Sequence, residues 1–387
     1  MVAVPVNPKV MQWARKERGL CFDEAADLTG LPIATIQAFE SGATLPTLGE
    51  LEAISRTYEI SFVSLLMPAP LPRDCRPKIA DFRFRRGAAA PVWSHALSVT
   101  TDVIKEQLDG LAELVDADTS LCRPIRLPHL KLDDNVEVKA KEERARIGLP
   151  TGAQNHIDTP REVFKRWRFI IETLGVFVHV AKLGDLRECR GYSVFDNPKL
   201  PAIVINSNEG TVGARLFTLI HEYAHLLLRK AGLCDQNGAS RTEAFCNAFA
   251  AHFLMPRKAF VLAARSAQKT SSHNWTDREL KKLADCFGVS MSAAALQLEQ
   301  IGIVPIRQRK RKIAERADCR PKLGGQPMGY TERQISRLGM RHLSLVLTAL
   351  ERGYLNQIEA YDLTEVNPKH FDNLRSELNE RRTRYGG

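Results

Sequence analysis

One pentapeptide has the composition and spacing of a metal-binding catalytic site, His221-Glu222-Tyr223-Ala224-His225. Residues four apart lie on one face of an α-helix, about one turn apart, so both imidazoles can bind the same cation. Zinc binds imidazole nitrogen and, in catalytic sites, keeps one of its four positions for water. Glu222 is rotated by about 100° from His221. Its carboxylate would therefore lie beside the metal and accept a proton from the bound water, which is the chemistry of hydrolysis.

The residues around the pentapeptide make this interpretation more specific. Chance alone gives the bare pattern in about one chain in sixty of this composition. Here Leu216–Ile220 precede it and Leu226–Leu228 follow it, so the helix is apolar on most faces and is predicted to be buried. Polar side chains inside a buried helix need partners. A bound cation supplies such a partner, and two hydrogen-bonded core histidines are the alternative.

A third protein ligand is required, and the residues downstream offer several candidates: Cys234, Asp235, Glu243, Cys246 and His252. Glu243 opens the next predicted helix, which can return towards the first. Ser240-Arg-Thr-Glu243 is also a capping-box pattern, in which Glu243 would bind the Ser240 amide. Cys246 lies on the same helix face as Glu243 and is a softer ligand. His252 faces about half a revolution away.

Two segments together resemble the ImmA/IrrE family of bacterial metallopeptidases. They are Arg215-Leu-Phe-Thr-Leu-Ile-His-Glu-Tyr-Ala-His225 and Glu243-Ala-Phe-Cys-Asn-Ala-Phe-Ala-Ala-His-Phe-Leu-Met-Pro256. The resemblance covers residues 135–303. It implies that His221, His225 and Glu243 bind Zn²⁺ and that Glu222 is the catalytic base. Phe245 departs from the family, in which many members carry a charge at this position.

The resemblance also implies a gluzincin-like α/β unit, in which the active-site helix lies behind the edge strand of a small sheet. An extended peptide would pair with that edge by β-augmentation. The strand candidates for the edge are Ala202–Asn206 and Tyr192–Asp196. Tyr192 and His179 are candidates for stabilising an oxyanion, although a structural role is the simpler interpretation of each.

The amino-terminal residues resemble the Xre/Cro-type helix-turn-helix. Phe22–Thr29 is predicted as the first helix of the motif, with Gly30 in the turn and Pro32–Ser41 as the recognition helix. Thr35 and Gln37 are the candidate DNA contacts on that helix. The helix has no Lys or Arg, and residues 1–70 hold five Lys/Arg against eight Asp/Glu. Weak phosphate attraction follows, so a protein partner is an alternative to DNA for this domain.

The positive charge lies at the other end of the chain. Of the net +10, residues 304–387 hold seventeen Lys/Arg against ten Asp/Glu, concentrated in Arg307–Lys312. A solvated linker and a nucleic-acid contact are equally compatible with this run.

The predicted organisation has five parts: 1–70 an Xre-type domain, 71–134 a helical linker region, 135–303 the zinc peptidase domain, 304–330 a basic linker and 331–387 a helical region. The predicted class is mainly α with a small β-sheet (α+β). The 26% charged residues and the lack of a long apolar segment predict a protein that does not span a membrane. The eight cysteines form no CxxC pair, which favours reduced thiols and a cytoplasmic location.

These observations lead to a main hypothesis and an alternative. The main hypothesis is a zinc endopeptidase fused to a DNA-binding-type domain. The resemblance implies that it cleaves a protein partner, a transcriptional repressor or an antitoxin-like protein, in a regulatory switch. Double-stranded DNA and a second copy of the chain are further candidate partners. The alternative is a transcriptional regulator or antitoxin whose metal domain is a sensor or scaffold without proteolytic activity.

Overall fold

The computed structural model describes residues 3–18, 20–58, 60, 62–70, 94–122, 125, 127–148, 160–186, 189–229, 239–267, 275–302 and 328–386. These residues are mainly helical with one three-stranded sheet, which confirms the predicted α+β class. The basic run Arg307–Lys312 and the ligand candidates Cys234 and Asp235 lie outside the described residues. None of the described helices is both long enough and apolar enough to cross a membrane.

Backbone contacts divide the chain into two compact units. The first comprises the described parts of Met1–Pro77, Phe84–Glu106 and Lys182–Glu188. Its helices are α1 Pro8–Glu17, α2 Phe22–Thr29, α3 Ile33–Ser41, α4 Leu48–Tyr58 and α5 Phe62–Leu65. Gly30 ends α2 in the left-handed conformation that glycine favours, with φ of 71°. The predicted helix, turn and recognition helix therefore all form, except that Pro32 caps α3 and is not part of it.

The second unit comprises the described parts of Lys78–Arg83, Gln107–Ala181 and Cys189–Gly387. Helix α6 His95–Ala117 is divided between the two units. The remaining elements, in chain order, are α7 Val136–Arg146, α8 Pro160–Thr173, β1 Phe177–Ala181, β2 Gly191–Val194, β3 Ala202–Asn206, α9 Val212–Leu228, α10 Ala239–Leu254, α11 Arg257–Ala267, α12 Asp277–Phe287, α13 Met291–Gln300, α14 Tyr330–Glu351, α15 Gln357–Thr364 and α16 Phe371–Gly386.

The sheet has the order β1-β3-β2. Strand β3 pairs with β1 in parallel and with β2 antiparallel, in the register Gly191↔Ile205 and Ser193↔Ile203. The expectation that Ala202–Asn206 could be the edge is therefore wrong. A strand with five consecutive buried residues is typical of the centre of a sheet. Within the described residues β2 pairs only with β3, so the other candidate, near Tyr192, is the edge.

Helix α9 lies against one face of this sheet and is buried along almost its whole length. Thr211 caps it, since its side chain accepts a hydrogen bond from the Ala214 amide. Near its start, Gly213 leaves room for the turn before α13: a Cβ at this position would lie 2.5 Å from the carbonyl carbon of Val289. The helix pair α12–α13 thus packs against the start of α9.

The carboxy-terminal helix α14 packs against β1 and against α8. A buried ion pair on α8 makes the contact with α14. Arg168 Nε lies 3.1 Å from Glu172 Oε1, and both side chains are almost fully buried. Arg168 also donates to the Ser336 carbonyl at 2.5 Å, and Glu172 Oε2 accepts from the Met340 amide at 3.0 Å. Gly339 allows this approach, with φ of 83° and ψ of 165°, a region that is essentially restricted to glycine.

We therefore expect Gly339→Ala to destabilise the second unit strongly. An added Cβ would lie 2.0 Å from Glu172 Oε1 in addition to the backbone strain, so the free energy of unfolding should fall by about 3 kcal/mol or more. Gly353→Ala is the control. Gly353 also has a positive φ, of 76°, but no atom lies within 4 Å of a Cβ at this position. The free energy of unfolding of this variant should fall by about 1 to 2 kcal/mol. Urea unfolding of both variants measures the difference, and equal losses would contradict the role given to Gly339.

Candidate metal centre

Three potential ligand atoms converge where α9 faces α10. His221 Nε2 and His225 Nε2 are 3.1 Å apart. Glu243 Oε1 lies 3.1 Å from His225 Nε2, and Glu243 Oε2 lies 3.3 Å from His221 Nε2. Both histidines are buried, and the Glu243 side chain is 29% exposed. The capping-box interpretation of Glu243 is not needed, since its carboxylate points to the two imidazoles.

The spacing of these donor atoms is compatible with a tetrahedral zinc ion. With bonds of about 2.0 to 2.1 Å, two ligand atoms of a tetrahedral zinc ion are about 3.3 Å apart. The separations between donor atoms of different residues are 3.1, 3.1 and 3.3 Å, with a different oxygen of Glu243 facing each imidazole. Three protein ligands leave a fourth position for water, the arrangement of a catalytic site. Within the described residues, these are the donors that form a group with all atoms within 4.8 Å of one another.

The charges of the donor set are coupled. Burial of the His225 ring disfavours its protonated form, but Cys246, Glu243 and Glu222 together raise the pKa of His225 well above its ordinary value. Burial disfavours the charged form of Glu243 as well, yet the two histidines lower the pKa of that carboxyl. The pocket therefore stabilises a positive charge at the point where the three donors meet. A divalent cation supplies that charge without protonation of a ligand.

Glu222 lies on the side of α9 that faces the edge strand β2. It is fully buried, and its Cγ lies 3.6 Å from the position of a Cβ on Gly191. The same added Cβ would lie 2.6 Å from Thr218 Cγ2 and 2.8 Å from the Val204 carbonyl oxygen. Only glycine at 191 lets β2 come this close to α9. The carboxylate therefore lies between the candidate metal ligands of its own helix and the start of an edge strand.

Two family models match the chain. Residues 172–299 match the model described as the IrrE N-terminal-like domain of the Peptidase_M78 family, and residues 11–65 match the helix-turn-helix model. The chain carries an IrrE-type peptidase domain. A helix-turn-helix domain precedes it, so the predicted resemblance is confirmed and the enzyme is of the metallopeptidase type. No curated protein and no solved structure matches the chain.

A second polar network fixes the start of β2 in the IrrE-type peptidase domain. Arg190 Nη1 binds the buried carboxylate of Glu209 at 3.0 Å, and Thr218 Oγ1 lies 3.2 Å from the same carboxylate. Thr218 is one turn before Glu222 on α9. This network ties the strand to the helix on the side of the catalytic candidate. The motif residue Thr218 thus has a positioning role that the sequence pattern did not reveal.

Helix α7 packs against the other side of α9. The sequence pattern did not predict this helix. Tyr223 donates to the buried carboxylate of Glu143, which also accepts from Arg146 Nε at 2.7 Å and Nη2 at 2.6 Å. The buried residues of α7 are Ala140, Glu143 and Arg144, and Val136 is partly buried against the core, so charged residues interrupt the apolar side of this helix. The one available signal was Asn135, an N-cap residue whose side chain accepts from the Val138 amide.

The other candidates do not belong to the three-donor group. Cys246 is buried and lies within hydrogen-bonding reach of His225, but it does not belong to the three-donor group. His252 is nine residues after Glu243 on α10, and the charges acting on it are Glu137 and Arg257. His179 binds His342 on α14, Nε2 to Nδ1, at 3.1 Å.

The two candidates for stabilising an oxyanion are on the wrong face of the sheet. Side chains alternate along a strand, and Gly191 faces α9. Tyr192 therefore points to the opposite face, where its neighbour in β3 is Val204 and the next in β1 is His179. Both residues pack in the core on the side away from α9.

The candidate DNA contacts on α3 differ in position. Ile36 and Phe39 face the core of the helix-turn-helix domain. Gln37 lies on the outward face and is exposed, as is Ser41, whereas Thr35 is rotated by about 200° from Gln37 and is half-buried. Glu40 does not present its charge to solvent, because both of its oxygens bind Arg15, at 2.6 and 2.9 Å.

We expect Gly191→Ala to disturb the contact between β2 and α9. The overlaps with Thr218 and Val204 should lower the free energy of unfolding by about 1 to 3 kcal/mol. Gly329→Ala is the matched control, because φ at Gly329 is −55° and no atom lies within 4 Å of its Cβ position. Its unfolding free energy should fall by about 1 kcal/mol or less, because alanine is a poorer N-cap than glycine. A Gly191→Ala protein as stable as this control would show that the strand has room to move.

Proposed function

We propose that the chain is a zinc-dependent endopeptidase in which His221, His225 and Glu243 hold the metal and Glu222 is the general base. The observation that carries the proposal is the three-donor group at tetrahedral separations, with the Glu222 carboxylate beside it on the same helix. The matches to the peptidase and helix-turn-helix models support the combination of a metallopeptidase-type enzyme with a DNA-binding-type domain.

Each residue has a defined task in this proposal. The zinc ion, when bound, lowers the pKa of its water towards neutrality. Glu222 accepts the proton of that water at its carboxylate and delivers it to the nitrogen of the leaving amine. The edge of β2 binds an extended peptide through its main chain, which brings the scissile bond across Glu222. The Arg190–Glu209–Thr218 network keeps β2 and α9 in register during the reaction.

The proposed substrate is a protein partner, a transcriptional repressor or an antitoxin-like protein. An edge strand recognises backbone, so it suits a segment that can be extended, such as an interdomain linker. The helix-turn-helix domain would bring the peptidase to double-stranded DNA at which such a partner is bound. The segments 135–303 for the peptidase domain and 1–70 for the DNA-binding domain remain our proposed boundaries, with 71–134, 304–330 and 331–387 as the connecting and carboxy-terminal regions.

The DNA-binding role rests on the exposed face of α3. The pairing of Glu40 with Arg15 removes one negative charge from that face. The helix still has no cation that could bind a phosphate, so we propose that base contacts dominate DNA binding. Gln37 would make one of these contacts, and Thr35 would make a second contact at the side of the helix. A glutamine side chain can bind the adenine edge with two hydrogen bonds.

Removal of the third ligand should abolish tight zinc binding. The Glu243→Gln protein is expected to lose at least about tenfold in zinc affinity because the anionic ligand becomes a neutral amide. His252→Gln, on the same helix but outside the donor group, should bind one zinc ion per chain as the wild type does. Competition with a fluorescent chelator measures both affinities. Equal affinities for the two variants would exclude Glu243 as a ligand.

Glu222→Gln tests the catalytic proposal. The variant should keep one zinc ion per chain and cleave its partner at least about 100-fold more slowly, because the general base is lost. The substrate assay is co-expression with the product of the adjacent open reading frame, with fragment masses measured by mass spectrometry. Cleavage at the wild-type rate by the zinc-loaded variant would refute the mechanism. Absence of cleavage by the wild type, together with DNA binding that survives zinc removal, would favour the alternative of a regulator with a non-proteolytic metal domain.

Gln37→Ala should weaken binding to a specific DNA site. Loss of a paired base contact costs about 1 to 3 kcal/mol, which is a factor of about 5 to 150 in affinity. Gln12→Ala, an exposed glutamine of α1, is the control and should bind as the wild type does. A mobility-shift assay on the protein's own promoter compares the variants. Equal binding by both variants would remove Gln37 from the interface.

A further inference from the structure

The second unit contains a cavity of about 310 Å³ that is separate from the three-donor group. It lies between α8, the first turn of α9 and the carboxy-terminal helices α14 and α16. Val212 and Arg215 of α9 line it, as do Ile335 and Met340 of α14. Its volume is at the lower end of the range of small-molecule sites, about 300 to 1,000 Å³.

The charges that line the cavity are unbalanced. Five cations face two carboxylates: Arg161, Lys165, Arg168, Arg215 and Arg381 against Glu172 and Glu332. Both carboxylates are already engaged. Glu332 binds Lys165 at 3.0 Å, and Glu172 is held in the ion pair with Arg168. Of the remaining arginines, Arg381 pairs with Glu377 at 2.7 Å, which leaves Arg161 and Arg215 without an ion-paired carboxylate among the described residues.

Two of these arginines are available to bind an anion. Arg215 donates from Nη2 to the Ser207 carbonyl at 2.7 Å, but its Nε has no acceptor within the described part of the chain. Arg161, at the start of α8, has no ion-paired carboxylate among the described residues. Burial lowers the pKa of Arg215, the charge of Glu209 raises it, and the charge of Arg161 lowers it, so the two guanidinium groups are close enough to repel each other. An anion between them would relieve this repulsion.

The rest of the wall is apolar and partly aromatic. Phe164 and Ile335 are buried, and the rings of Phe169 and Tyr385 lie 5.7 Å apart. Two methionines, Met328 and Met340, also line the cavity. Thioether sulfur packs favourably against aromatic rings. A flat apolar body therefore suits the space between the charged groups.

We propose that this cavity binds a small amphipathic anion, with one carboxylate or phosphate held by Arg161 and Arg215 and a flat apolar body packed against Phe169 and Met340. A guanidinium group binds both kinds of oxyanion through two parallel hydrogen bonds. The site is formed jointly by the peptidase helices and the carboxy-terminal region, which gives residues 331–387 a share in ligand binding. Arg215 is six residues before His221, so the ligand would contact the helix that carries the metal ligands.

Calorimetric titration of the full chain with 2-naphthoate tests the site. The neutral isostere 2-naphthamide has the same shape, so it isolates the contribution of the charge. 2-Naphthoate should bind one molecule per chain and at least about tenfold more tightly than 2-naphthamide, as expected for charged hydrogen bonds. Titration with 2-naphthyl phosphate then shows whether the site prefers a phosphate or a carboxylate, because the anion with the higher affinity carries the preferred head group.

A matched pair of variants on α8 locates the binding. Arg161→Gln should weaken the binding of 2-naphthoate by about tenfold or more. Arg166 is an exposed arginine of the same helix that does not line the cavity, so Arg166→Gln should leave the affinity unchanged. Both positions are exposed, so both variants should fold, and their thermal unfolding verifies this. The proposal is overturned if neither anion binds more tightly than 2-naphthamide, or if the two variants have equal effects.

Discussion

Three ligand atoms on two different helices must remain about 3.3 Å apart for a zinc site to exist, and much of the packing of the second unit serves that constraint. The i,i+4 spacing on α9 supplies His221 and His225 without further help. Glu243 reaches the two histidines only because α10 packs against α9. Helix α7 contacts both of these helices: Glu143 accepts a hydrogen bond from Tyr223 of α9, and Arg144 donates one to the Phe253 carbonyl of α10. On the opposite side, Gly191 lets β2 approach Glu222. The site is thus fixed by contacts on every side of α9.

The local parts of this arrangement could be predicted from the sequence. The helix-turn-helix elements, α9 and α10 all have periodic apolar residues and clear ends, such as Gly30 and Pro256. The spacing of His221, Glu222 and His225 is set by helix geometry alone. Glu243 was distinguishable from its capping-box alternative only through the family resemblance, because sequence spacing does not fix how two helices meet across a loop. The structure now gives a geometric reason for the same choice.

The features that could not be predicted depend on tertiary contacts. Strand order is one, since Ala202–Asn206 and Gly191–Val194 have similar patterns and only the crossover that makes β1 and β3 parallel puts β3 in the centre. Helix α7 is another, because it packs through Glu143 and Arg144. The Arg168–Glu172 pair looks like an exposed i,i+4 pair in sequence, yet it is buried beneath α14. In the last two cases buried polar groups make the packing contacts that apolar residues normally make, so the apolar periodicity of the sequence does not reveal them.

In the proposed site the metal is held by two imidazoles and one carboxylate, and a nearby thiol does not bind it. X-ray absorption at the zinc edge of the zinc-loaded chain measures this directly, because Zn–N and Zn–O bonds of about 2.0 to 2.1 Å are resolved from a Zn–S bond of about 2.3 Å. The structure predicts four nitrogen and oxygen ligands, two of them imidazoles, and no sulfur. A sulfur shell would show that Cys246 replaces Glu243 and would contradict the site described above.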